Sequence, residues 1–112
     1  MTVEEIAADI LAALEALTVE DVWDATGASC FFATEPAQAA DLLIERVLLP
    51  YETRLRQLAR EGREAEADTL LEGVLRALSL FERESRAPFK AWVLNLEATY
   101  APRFRRAREG RF

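Results

Sequence analysis

From Ala40 to Phe81 the apolar residues keep a helical spacing with one interruption, at Gly62. Ala40, Leu43, Ile44, Val47, Leu48, Tyr51, Leu55 and Leu58 hold one register straight through Pro50. That predicts one kinked helix over about 36–61 rather than two helices. Thr34 is placed to cap it and Pro36 falls in its first turn. Gly62 ends it, and Ala67, Leu70, Leu71, Val74, Leu75, Leu78 and Phe81 predict a second helix over about 63–84. So short a link makes the two an antiparallel hairpin. Gly73 lies inside the second helix, where glycine costs about 1 kcal/mol against alanine. A close crossing by another helix is therefore expected at that point.

The flanks read as helices that pack across this hairpin. Thr2 and Glu5 have capping-box spacing, and Val3, Ile6, Ala7, Ile10, Leu11, Leu14 and Leu17 follow as a stripe, which predicts a helix over 3–17. A second capping signal, "TVED", opens a short helix over 19–26 carrying Val19, Val22 and Trp23 and stopped by Gly27. Ser85 and Pro88 open a last helix over 88–101, with Phe89, Trp92, Val93, Leu96 and Tyr100 on one face. Pro102 is expected to bend or stop it, leaving "RFRRAREGRF" as a final turn or a frayed tail. Aromatics at helical spacing, such as Trp23, Phe81, Phe89 and Trp92, read as core. The expected fold is all-α, about five helices, with one domain over 1–102 and an arginine-rich tail over 103–112. Four glycines and four prolines are too few for an all-β domain, and 51% hydrophobic with 30% charged residues suits a packed core.

The stretch "GASCFFATEP", Gly27 to Pro36, connects two helices and holds the single cysteine. Its ends are explained by capping, and its middle is not. Adjacent in an irregular stretch, Phe31 and Phe32 point different ways, so one plugs the core and the other is a candidate partner contact. Cys30 has no histidine to activate it and reads as a bystander, a small apolar or plain surface thiol.

Part of the chain resembles a known module. The carriers are the Glu35-Pro36 start, "LLPYETRLRQLAREG" with its internal proline, "LLEGVLRALSLFERES" and the preceding "LTVEDVWDATG". Over residues 17–86 these resemble a helical module of uncharacterised bacterial proteins, some of which also carry SWIM-type zinc fingers. The finger itself is absent, since one cysteine and no histidine cannot supply four zinc ligands. The resemblance therefore implies a helical-hairpin module that binds another protein, without the zinc or nucleic-acid roles of its neighbours.

Charge is unevenly spread. Residues 1–45 hold ten acids and no base, whereas residues 46–112 hold ten acids and fourteen bases. The two halves can neutralise each other within one fold, or they can meet different partners. Arg103, Arg105, Arg106, Arg108 and Arg111, with Phe104 among them and Phe112 after them, are candidates for contact with nucleic acid or another anionic partner. Against that stands a net charge of −6. Glu4, Glu5, Asp9, Glu15, Glu20, Asp21 and Asp24 offer the opposite, an acidic surface that could occupy a nucleic-acid-binding protein. Glu61, Glu64, Glu66 and Asp68 sit close in sequence but at a helix start, where the macrodipole favours acids without any metal.

The absence of histidine removes the commonest general base and metal ligand, and no glycine-rich phosphate loop is present. The expectation is a non-enzymatic protein–protein interaction module without catalytic residues, cofactor or metal. It acts as adaptor, accessory subunit or regulator and partners another protein or itself as a homodimer. No run of about 18 apolar residues predicts a membrane span. The acidic start lacks the positive region of a secretory signal, and one cysteine fits a reducing cytoplasm.

Overall fold

In the computed structural model the described residues are 2–17, 36–84 and 96–110. They form four α-helices and no strand: α1 (Val3–Glu15), α2 (Pro36–Arg60), α3 (Glu64–Glu84) and α4 (Leu96–Glu109). The all-α class holds, with four helices among the described residues where about five were expected. The expected helix over 19–26 lies outside the described residues, as do Cys30, Phe31, Phe32, Phe89 and Trp92.

α1 begins as its sequence dictates. The Glu5 amide donates to the Thr2 hydroxyl at 3.1 Å, and the Thr2 amide donates to the Glu5 carboxylate at 3.3 Å. Two orphan donors are satisfied reciprocally. α2 runs its 25 residues without a break, Pro50 included. Its exposed end closes with Gly62 at φ 73°, the left-handed cap that a side chain would strain. The Gly62 amide donates to the Ala59 carbonyl at 3.2 Å and the Arg63 amide to the Leu58 carbonyl at 3.0 Å, a Schellman arrangement. Arg63 then accepts at its carbonyl from the Ala67 amide at 3.0 Å, so α3 starts within three residues of the end of α2.

α1 packs chiefly on α3, and α4 packs on both α2 and α3. The approach of α1 is closest at Gly73. A Cβ there would sit 2.5 Å from Ile6 Cγ2 and 3.3 Å from the Val3 carbonyl oxygen. The glycine is a vacancy that Ile6 fills. α4 takes another side of α3, where Asp68 and Glu82 meet it. One continuous core results, with Ile10, Leu14, Ile44, Leu55, Val74, Leu78 and Phe104 fully enclosed.

α4 corrects the expected end at residue 101. The helix passes Pro102 and continues to Glu109. An interior proline costs about 3 kcal/mol. The offset comes from beyond it, where Phe104 is 0% and Ala107 1% exposed. Enclosing a phenylalanine contributes about 1.5–3 kcal/mol, and two arginines of the same turns close ion pairs on the hairpin. The Glu82 carboxylate accepts from the Glu97 amide at the start of α4, where the helix dipole favours a negative group. Among the described residues no helix is long and apolar enough to cross a membrane.

Candidate functional site

The five arginines near the C-terminus do not act as one cluster. Arg103 turns onto the hairpin, its Nε donating to Glu52 Oε2 at 2.7 Å and its Nη1 to Glu45 Oε1 at 3.0 Å. The other Glu52 oxygen accepts from Arg56 Nη2 at 2.6 Å, one helical turn along α2. The Glu52 side chain is only 2% exposed. An ionised carboxylate so enclosed needs partners on both oxygens, and two guanidinium groups supply them. The Glu52 hydrogen bond pushes the Arg103 guanidinium pKa above its usual value; burial opposes this and Glu45 adds to it. Arg108 Nε donates to Asp68 Oδ1 at 2.7 Å. That bond raises the Arg108 pKa in the same way. Arg105 and Arg106 are exposed and make no ion pair among the described residues. Arg111 lies outside the described residues.

The acidic residues divide likewise. Glu4 meets Arg76 of α3 at 2.6 Å. Hydrogen bonding to its own backbone amide, and then to Arg76, holds the Glu4 carboxyl below its ordinary 4.5. Glu5 belongs to the capping box. Asp9 and Glu15 stay exposed and unpaired among the described residues. The Tyr51 hydroxyl pKa is raised, first by burial and then by the nearby Asp9 charge. Glu20, Asp21 and Asp24 lie outside the described residues. Of the acids around the hairpin turn, Glu61 and Glu66 both bind Arg63, at 3.3 and 2.5 Å, and Asp68 holds Arg108. Among the described residues no three metal-ligating side chains converge.

Two surface features were missed in the sequence. The first is the outer face of α2, where Arg46, Leu49, Pro50, Thr53, Gln57 and Arg60 stand exposed at helical spacing. Leu49 is 47% exposed, the large apolar side chain that the described core leaves outside. It lies off the buried stripe of Ile44, Leu48, Leu55 and Leu58, and that offset was the available signal. The second is an open groove of about 520 Å³ where α1 meets the hairpin, floored by Ile6, Leu58 and Leu70 and rimmed by Tyr51, Arg54 and Thr69. These surfaces can hold another molecule by apolar contact and charge. Nothing described pairs a nucleophile with a base.

No family model, curated protein or solved structure matches the chain. The functional reading therefore rests on its own residues.

Proposed function

We propose that this chain is a non-enzymatic protein–protein interaction module, serving as adaptor, accessory subunit or regulator in a reducing cytoplasm. The observation that carries this reading is the outer face of α2. Over about 21 Å, from Arg46 to Arg60 at 1.5 Å per residue, this face has an exposed leucine and proline between arginines, and a carboxylate reaches it only at its end, where Gln57 donates to Glu61 at 3.2 Å. An apolar centre within a charged rim is the anatomy of a protein contact. The resemblance of residues 17–86 to a bacterial helical module points the same way.

Binding of nucleic acid through the C-terminus is the rival reading, and exposed Arg105 and Arg106 favour it. Two phosphate contacts on a single strand give a salt slope of only about −1.4. That is a weak hold for a chain of net charge −6. The acidic-inhibitor reading is reduced as well, because Glu4 is engaged by Arg76 and Glu5 by the cap.

A pull-down from nuclease-treated native-host lysate separates these readings. The tagged chain should recover a protein in stoichiometric amount, and Leu49→Asp should lose it while R105E/R106E keeps it. Recovery that depends on nucleic acid, or that fails only with R105E/R106E, would overturn the protein-binding reading.

A further inference from the structure

Charges within one copy are matched selectively. Residues 1–45 contain no base and residues 46–112 carry the excess of arginine. The fold joins the two sets at Glu4–Arg76 and at Glu45–Arg103, and joins helix to helix again at Asp68–Arg108. Others stay exposed without an ion pair among the described residues: Glu64, Glu72, Arg105, Arg106 and two sets on α1 and α2. On α1, Asp9 and Glu15 remain exposed without an ion pair among the described residues. On α2, Arg46 on the outer face and Arg54 on the rim of the groove beside α1 do the same.

The shapes of the two faces are also complementary. α1 buries Ile6, Ala7, Ile10 and Leu14 against the core, so its opposite face shows Ala8, Ala12 and Ala16 between the acids. Small side chains make a shallow floor that lets a second helix approach closely. The outer face of α2 supplies what such a floor receives, the exposed Leu49 with Arg46 one turn before it. α1 extends about 20 Å and the α2 face about 21 Å at 1.5 Å per residue, so the two match in length.

We propose that the outer face of α2 docks the outer face of α1 from a second copy of this chain. Resting on the protein-interaction reading, the proposal names its partner. In a two-fold dimer the contact is made twice, α1 on the partner's α2 and the partner's α1 on α2, as an isologous interface requires. Cross-copy pairs between Asp9 or Glu15 and Arg46 or Arg54 set the orientation, and Leu49 on the alanine floor supplies the apolar centre. Exposed charges are screened within about 8 Å at physiological salt, so the association weakens as salt rises.

Charge reversal with complementation tests the pairing. Two full-length variants are made, D9R/E15R on α1 and R46E/R54E on α2, and circular dichroism checks that each keeps the wild-type helix content. Sedimentation velocity at low ionic strength should show a salt-sensitive dimer for the wild type. Each variant alone should associate at least about tenfold more weakly, since like charges then face each other. Their equimolar mixture should dimerise again, because both contacts regain opposite signs. A wild type that stays monomeric, variants that dimerise unchanged, or a mixture that stays monomeric each overturns the proposal. A monomeric wild type that still captures a foreign protein through Leu49 in the pull-down would sink self-docking and leave the interaction reading standing.

Discussion

Gly73 shows how one missing atom fixes the approach of a helix. Ile6 occupies the space its Cβ would take, with Ile6 Cγ2 only 2.5 Å from that position. Helix propensity alone would favour alanine there by about 1 kcal/mol. The clash outweighs it, since overpacking a closed core costs about 1–3 kcal/mol and here lies against a side chain on a fixed backbone. We expect Gly73→Ala to destabilise the fold by about 1 kcal/mol net, read as a lower urea midpoint at unchanged slope. A midpoint equal to or above the wild type would show that α1 can shift away. Glycine inside a helical stripe was the sequence signal, and it marked the crossing. It did not say which helix crosses, because spacing along one helix carries no information about its neighbour.

At the scale of elements, α2 and α4 both carry a proline past which the helix continues. In α2 the unbroken register from Ile44 to Leu58 made this legible. In α4 the same evidence was present: Leu96, Tyr100, Phe104 and Ala107 continue one face beyond Pro102. Proline chemistry suggested a bend or a stop, but the helix continues to Glu109 and buries Phe104. Proline therefore predicts a local cost, and the residues beyond it decide whether the helix can bear that cost. Pro50 is exposed and its ring serves no contact in the core. Pro50→Ala restores an interior hydrogen bond and removes a steric clash, and should stabilise the fold by about 2 kcal/mol in urea unfolding. No gain, or a loss, would mean that the proline itself helps fit α2 to the core. The ion pairs were less legible than the helices. Glu52 and Arg56 form a recognisable i, i+4 pair, but nothing in the sequence announces that Arg103, far along the chain, completes the site.

At the scale of the whole molecule, the body measures 48 × 27 × 19 Å with a radius of gyration of 14.8 Å. A compact domain of this length would have about 13 Å. Among the described helices the two of the hairpin, with 25 and 21 residues, outrun α1 and α4, with 13 and 14, and the outer face of α2 stays exposed. The C-terminal arginines are divided between two tasks. Arg103 and Arg108 fasten α4 to the hairpin, whereas Arg105 and Arg106 face outward. The fold thus engages part of the segment that most resembled a nucleic-acid tail, and it leaves the outer faces of α1 and α2 exposed. Equilibrium urea unfolding of Arg103→Ala beside R105A/R106A tests this division most directly. Removing one partner of a buried ion pair costs about 3–5 kcal/mol. Arg103 is itself 32% exposed and Arg56 still holds one Glu52 oxygen, so we expect Arg103→Ala to lose less than that, about 2 kcal/mol. R105A/R106A should stay within about 0.5 kcal/mol of the wild type, as exposed substitutions do. Equal small losses in both variants, or a larger loss in R105A/R106A, would contradict a structural role for Arg103.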